Sequence, residues 1–367
     1  MHKNNCCVNK HRLAMTKPQK NTKVAILLDS RNYGGIETHV ANLARGLMEA
    51  GQKVQIILLS NYGKHPVFDC DALLSSKLVK LDGGIFSLFK LLRNSDVNIV
   101  HTHGYKAGIL GRLTCAFLRK PVVSTFHSGE KGDVKIRFYR WLDTITAGLS
   151  SCICVSEEIK KTANIKSQVI ENFVEMPTST PSKSTPKEHT LSEQIAFVGR
   201  LSFEKGPDTF LRLAKGLPQF NFCIYGDGPM MSEISNLATA NVLLAGHVNS
   251  MDCHWQKINL LCITSREEGL PLVAIEALVR GIPVISYDIG GLSSVVINNR
   301  SGWLVSPFDE SAFNQAIINF KNISAGQLNE MSSFSYLHIK NNFSSDAIIP
   351  KILNVYQKTL ADKTYVQ

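Results

Sequence analysis

"INLLCITSREEGLPLVAIEALVRGIPVISYD", residues 258–288, decides the architecture. It opens on an apolar, β-branched run that ends at Ser265 and crosses a polar loop. A helical stretch begins at Pro271, and a second apolar run, "GIPVISYD" (281–288), closes the unit. Short apolar runs alternating with helical patterns predict a parallel sheet with helices on both faces. The same alternation extends backward through "QIAFVGR" (194–200), "NFCIYGDG" (221–228) and "NVLLAG" (241–246). An equivalent series occupies the first half: "KVAILL" (23–28), "KVQIILLS" (53–60), "VNIVHTH" (97–103), "PVVSTFH" (121–127) and "SCICVSEEI" (151–159). Each series has a glycine-bearing turn after its first strand. The expected fold is therefore α/β, with two Rossmann-like domains facing one another across a cleft.

The rhythm breaks at 176–190, "MPTSTPSKSTPKEHT", where no apolar period survives, and this segment reads as a linker and hinge. The expected organisation is a disordered basic tail over 1–22, an N-terminal Rossmann-like domain over 23–175 and the linker over 176–190. A C-terminal Rossmann-like domain over 191–345 and a C-terminal helix over 346–367, crossing back to the first domain, complete it.

The chain has 367 residues and a formal net charge of +10. Residues 1–175 hold 25 Lys and Arg against 14 Asp and Glu, whereas residues 176–367 hold 15 against 16. A basic half joined to a neutral half suggests an anionic partner such as a membrane surface, an anionic acceptor or nucleic acid. An ordinary solvated surface accounts for it equally well. Nine cysteines without a CxxC pair suggest reduced thiols and no structural zinc. No run of 18 apolar residues occurs, and the first 22 residues lack the apolar core of a signal peptide. The expectation is a cytoplasmic protein, able to sit peripherally on the inner face of the cell membrane.

Ligands of open α/β sheets bind beyond the carboxyl ends of the strands, so residues just after each strand carry most information. "GRLSFEKG" (199–206) places Arg200 and Lys205 in one exit loop, where two cations can hold a diphosphate without a metal. "YGDGP" (225–229) carries Gly226 and Gly228, which let backbone approach a ligand or a neighbouring element. Glu268 lies in the loop before the helix and Glu276 on its second turn. Eight fully helical residues would separate the two acids by about 12 Å, whereas hydrolase pairs sit roughly 5–9.5 Å apart. Hydrogen bonding to two hydroxyl-bearing parts of one extended ligand suits them better than sugar hydrolysis. His127 ends a strand and enters a loop. His101 and His103 form an HxH for which no third ligand at metal spacing is evident, so no metal site is assigned.

With these motifs in order, the sequence resembles the retaining GT-B glycosyltransferases of the glycogen-synthase-like, "glycosyl transferases group 1" family. The resemblance runs from about Val24 to Val305 and is carried by Glu268 and Glu276 of "SREEGLPLVAIEA", an E-x7-E motif. "FVGRLSFEKGPD", "YGDGP", "LAGHV" and "GIPVISYDIGGL" support it. It implies a nucleotide-diphosphate-sugar donor held by the second domain, an acceptor held by the first, and no metal cofactor. By match, Arg200 and Lys205 would grip the diphosphate, Glu268 the donor sugar and Glu276 the ribose. Gly226, Gly269 and Leu270 would belong to the same donor site. Gly34 and Gly35 would bring backbone amides to the phosphates, and His127 would lie near the anomeric carbon. Transfer to a saccharide or lipid-linked acceptor in cell-surface polysaccharide or lipopolysaccharide synthesis is the expected activity. A non-catalytic sugar-nucleotide-binding subunit and a sugar-nucleotide epimerase are the alternatives; nucleic acid is not an expected partner.

Three positions depart from the family pattern. Phe173 stands where glycine is common, Ser294 where an acid is common, and Leu270 directly follows Glu268-Gly269. In the first half, "KGDVKIRFYRWLDTI" (131–145) interleaves Lys131, Lys135, Arg137 and Arg140 with Phe138, Tyr139 and Trp141, and is the expected membrane or acceptor contact. "IFSLFKLLRNS" (85–95) reads as a core helix.

Overall fold

The computed structural model describes residues 21–31, 34–127, 134–177, 194–248 and 250–364. Residues 1–20 of the expected tail, residues 178–190 of the expected linker, and Lys131 lie outside the described residues. The first domain holds strands β1 (Lys23–Leu28), β2 (Lys53–Leu58), β3 (Leu78–Lys80), β4 (Ile99–His103), β5 (Val122–Phe126), β6 (Ser151–Cys154) and β7 (Ser167–Val169). They form one parallel sheet in the order β3-β2-β1-β4-β5-β6-β7. The second domain holds β8 (Gln194–Val198), β9 (Asn221–Tyr225), β10 (Val242–Gly246), β11 (Ile258–Ile263), β12 (Val284–Tyr287) and β13 (Gly302–Val305). Their order is β10-β9-β8-β11-β12-β13.

Strand pleating distributes the apolar residues between two cores per sheet. On β1, Val24, Ile26 and Leu28 face one cluster while Ala25 and Leu27 face the other. β11 does the same, with Leu261 and Ile263 on one side and Leu260 and Cys262 on the other. A strand buried on both faces reads as an unbroken apolar run. In both sheets the strand order reverses beside the first strand, between β1 and β4 and between β8 and β11, which opens a crevice at the carboxyl edge.

Three strands have no counterpart in the sequence reading. β3, β7 and β13 are three or four residues long, lie at or near sheet edges, and are partly exposed. They lack the apolar run that marks a central strand. The segment over 85–95 also differs in character. The helix Ile85–Arg93 buries only Leu88 and Leu92 and leaves Phe86 84% exposed, so it is amphipathic.

After β13 the chain forms helices Glu310–Lys321, Ala325–Asn342 and Ser345–Thr364. The last packs on the first domain, adding Ile348, Ile349, Ile352 and Tyr356 to the core of Val24 and Ile26. A Cβ on Gly46 would lie 2.7 Å from Ile349, so glycine allows this helix to approach helix Gly35–Glu49. The Tyr356 hydroxyl meets His101 Nδ1 at 2.7 Å, and Thr359 Oγ1 donates to Ser151 Oγ at 2.7 Å. These bonds tie the C-terminal helix to β4 and β6.

Candidate functional site

Lys205 ends a short 3-10 turn, Phe203–Lys205, that closes on Gly206. Gly206 has φ +65°, and a Cβ there would lie 2.2 Å from the Thr264 carbonyl. Only glycine permits both the left-handed turn and the approach to the end of β11. Thr264 Oγ1 donates to the Gly206 carbonyl at 2.8 Å and fixes that approach. The Lys205 ammonium consequently reaches both Glu268 oxygens, at 2.8 and 2.9 Å, and Ser265 Oγ donates to Glu268 Oε1 at 2.7 Å. The Glu268 side chain is 6% exposed and that of Lys205 31%.

Arg266 locks the turn from outside. It donates to the Phe203 carbonyl at 2.7 Å, lies over the Phe203 ring, and forms a two-pronged ion pair with Asp208 at 2.9 and 2.6 Å. Burial raises the Asp208 pKa, but hydrogen bonds from Arg266 and Arg212 overcome it and hold the carboxyl at about 2.

Arg200 is exposed, and the Lys205–Glu268 ion pair does not include it. Its loop is held by close backbone packing. A Cβ on Gly226 would lie 1.8 Å from the Gly199 carbonyl, and one on Gly228 2.4 Å from that of Leu201. These glycines seat the exit loops of β8 and β9 against one another. Glu276 is half-buried on helix Leu272–Leu278, for which Pro271 is the N-cap. Burial raises its carboxyl pKa, with Arg280 pulling the other way.

The two domains meet at Gly269 and Leu270. A Cβ on Gly269 would lie 2.5 Å from the His127 carbonyl and 2.9 Å from Ile159. Leu270 is 3% exposed, and its carbonyl accepts from Asn172 Nδ2 at 2.7 Å. The Gly290–Gly291 turn backs this loop, its Gly291 amide donating to the Gly269 carbonyl at 2.7 Å. Phe173, in the glycine's place, turns its fully buried ring into the first domain against His39. Ser294 bonds the Gly291 carbonyl of its own turn.

Facing this loop, the first domain presents histidines from three elements. His103 Nδ1 lies 2.9 Å from His127 Nε2, while His39, from helix Gly35–Glu49, packs on both rings. His101 is fully buried between Tyr356 Oη and Thr125 Oγ1, each at 2.7 Å. Burial lowers all four pKa values. His39 falls to about 4, partly offset by Asn172, and His101 to about 3, aided by His39. His103 and His127 fall well below 6.5, with neighbouring histidines adding to burial. The cluster is neutral at pH 7. One member of the HxH pair, His103, joins two histidines that sequence spacing could not reveal: ring nitrogens of His39, His103 and His127 lie within 4.8 Å of one another, and His101 is not part of this group.

A buried His103 N–H without an acceptor is costly, and His103 Nε2 is buried without a hydrogen bond. The tautomer that avoids this puts the proton on His103 Nδ1, donating to His127 Nε2. His127 then carries its own proton on Nδ1. Nearby, Gly34 is the N-cap of helix Gly35–Glu49. Space beside Gly35 is open, while the Glu37 carboxylate lies beneath Gly34.

Two family descriptions match the chain in succession: "Glycosyltransferase Family 4" over residues 33–174 and "Glycosyl transferases group 1" over 182–335. The Escherichia coli UDP-Gal:alpha-D-GlcNAc-diphosphoundecaprenol alpha-1,3-galactosyltransferase is 30% identical over 319 residues, spanning 78% of this chain and 82% of that protein. The chain belongs to the group 1 glycosyltransferases. Solved structures agree on the fold, which is GT-B. Sucrose-phosphate synthase from Thermosynechococcus elongatus superposes with TM-score 0.78 at 18% identity, covering 93% of this chain and all of that one. Anabaena HepE in complex with UDP-glucose gives 0.75 at 16% identity, covering 92% and 100%.

In this glycosyltransferase the structure joins Lys205 to Glu268, and Gly269 to His127. It leaves Arg200 exposed and Glu276 apart from the ion pair. Sequence reading did not find Arg266, Asp208, His39 or Asn172. Arg266 sits inside the E-x7-E loop and Asp208 in "FEKGPD", so adjacency to the motif was the available signal. Asn172 directly precedes Phe173 and His39 follows Gly34 and Gly35 by a helical turn, so both adjoin positions that the sequence did mark.

Proposed function

We propose that this glycosyltransferase moves a hexosyl group from a UDP-sugar to a lipid-linked saccharide, with retention at the anomeric carbon, in cell-surface polysaccharide synthesis. The observation that carries the reading is the convergence, at one domain junction, of the Lys205–Glu268 pair with His127 through Gly269. The Escherichia coli relative supports the donor and acceptor classes by its name.

The chemistry follows from the side chains present. An ammonium is a compact positive charge, so Lys205, held on Glu268 and 31% exposed, can also attract a diphosphate oxygen. As the sugar–phosphate bond breaks, negative charge grows on the departing UDP. Lys205, joined by the exposed Arg200, neutralises it in a partly dehydrated crevice where such charge stabilisation is strongest. Glu268 accepts hydroxyl protons of the donor sugar and Glu276 those of the ribose. Gly34 and Gly35 offer backbone amides to the phosphates from the facing domain. His127, neutral and with its ring fixed by His103, contributes an N–H to a sugar hydroxyl near the reacting carbon. A departing phosphate oxygen takes the acceptor proton, so no protein nucleophile is needed. Lysine and arginine supply the charge that a metal would otherwise bring. No described helix is long and apolar enough to cross a membrane, and attachment to a lipid-borne acceptor is peripheral in this reading.

The test incubates purified protein with UDP-galactose, UDP-glucose and UDP-N-acetylglucosamine, with and without a GlcNAc-diphosphate lipid. Acceptor-dependent UDP release and an α-linked product, read from its anomeric coupling, support the proposal. A β-linked product refutes retention. UDP release that consumes no acceptor favours a hydrolase, and conversion of the donor to an epimeric UDP-sugar without net UDP release favours an epimerase.

A further inference from the structure

Helix Val134–Thr146 lies along the first domain beside helix Tyr105–Phe117 and is held there by a buried network. Arg112, 1% exposed, pairs with the Asp143 carboxylate and donates to the Asp143 carbonyl at 3.0 Å and to Thr146 Oγ1 at 2.8 and 3.1 Å. A Cβ on Gly108 would lie 2.9 Å from the Asp143 carboxylate, so glycine lets the helices close to this distance. The helix is thus fixed in rotation, and the face it turns to solvent is defined.

That face borders a cleft of about 260 Å³ lined by Tyr105, Arg137, Arg140, Trp141, Thr144 and Thr162. Arg137 and Arg140 are three residues apart and share one side of the helix. Phe138, Trp141 and Ile145 form an adjacent stripe, exposed by 55%, 57% and 59%, with the two rings stacked at 5.9 Å. A second cavity, about 50 Å³, shares Tyr105, Phe126 and Asp143 with the first and extends to His127. The two cavities therefore adjoin across Tyr105, one beside the two guanidiniums and the other reaching His127.

We propose that this cleft is the docking site for the diphosphate of the lipid-linked acceptor. Arg137 and Arg140 grip the two phosphoryl groups, and the Phe138–Trp141–Ile145 stripe takes the first part of the lipid chain. The acceptor sugar reaches His127 through the smaller cavity. Guanidinium is the donor geometry suited to phosphate oxygens. The volume is below the roughly 300–1,000 Å³ of sites that enclose a drug-sized ligand, which fits one portion of an extended molecule. The acceptor role rests on the transfer reaction proposed above, whereas diphosphate binding does not.

The experiment therefore has two arms, both in membrane-free solution and saturated with UDP to occupy the nucleotide site. In the first, farnesyl diphosphate and farnesol are titrated against tryptophan fluorescence in wild type and an Arg137→Gln/Arg140→Gln double variant. The wild type should bind the diphosphate at least about tenfold more tightly than the alcohol, and the variant should lose that preference. UDP affinity, measured separately, reports an intact second domain. In the second arm, acceptor KM is compared for a short-chain GlcNAc diphosphate lipid, and the double variant should raise it at least about tenfold with donor KM unchanged. Equal diphosphate affinity in wild type and variant overturns the site. So does an effect that appears only when anionic phosphatidylglycerol vesicles are added, because the arginines would then contact lipid headgroups. Diphosphate binding without transfer to any acceptor would uphold the site and refute the proposed reaction.

Discussion

Replacing Gly269 with alanine isolates the contact that joins the domains. Gly269 is not among the residues with positive φ, so alanine brings no backbone strain of its own. The added Cβ would lie 2.5 Å from the His127 carbonyl, and ordinary contact begins at 3.4 Å. The obstacle is backbone, which cannot rotate aside, so the loop and the end of β5 must separate by about 0.9 Å. Glu268 precedes the substituted residue and the His127 ring is attached to the displaced carbonyl. Misplacement of about 1 Å between reacting groups costs on the order of 10²-fold in rate. The Lys205–Glu268 pair and the helix bearing Glu276 belong to one domain and move together. Gly269→Ala should therefore lower kcat by roughly 10- to 100-fold, while UDP affinity by calorimetry stays near wild type. Wild-type kcat in this variant, or an equal loss in UDP affinity, would refute the reasoning.

Lys205→Met should lower kcat by about 10²–10³-fold, the range for losing one transition-state charge donor. Donor KM should rise as well, and the ratio of kcat/KM to wild type measures the combined loss. His103→Asn retains a donor near the Nδ1 position and should keep most of the turnover, whereas His103→Leu should lose at least about tenfold in kcat with donor KM little changed. Equal activity in the two variants would remove His103 from any role in orienting His127. Stability should also fall in mild acid. The four histidines protonate near 6.5 when unfolded but lower in the fold, so the unfolded chain binds more protons as pH falls below 6.5. The loss continues towards about 4 for His39 and about 3 for His101, at up to about 1.4 kcal/mol per histidine per pH unit. Glu37 and Glu276, raised by burial, gain stability as pH falls and offset part of it. Thermal melting at pH 5.5 should lie below that at pH 7.5, and an equal or higher value contradicts the neutral cluster.

The central strands were legible because burial on both faces leaves an unbroken apolar run, as in "KVAILL" and "INLLCI". The edge strands β3 and β7 were not, because a half-exposed strand of three residues has no such run. Lys205 and Glu268 could be singled out since both follow strands, yet their 63-residue separation hid the ion pair. The histidine cluster draws on residues 39, 101, 103 and 127, and only the parallel pairing of β1, β4 and β5 with the first helix brings them together. Gly226 read as a point of close ligand approach or of packing, and the adjacent Gly199 carbonyl accounts for it by packing. The cleft beside Arg137 depends on the Arg112–Asp143 pair, whose members are 31 residues apart and have no sequence mark.

The division of labour between Lys205 and Glu268 is most directly tested by titrating UDP and UDP-galactose into wild type and Glu268→Gln without acceptor. If the lysine holds the diphosphate and the glutamate the sugar, the variant keeps its affinity for UDP and loses the extra affinity contributed by the galactosyl group. Equal losses for both ligands, or no loss for either, would contradict the account.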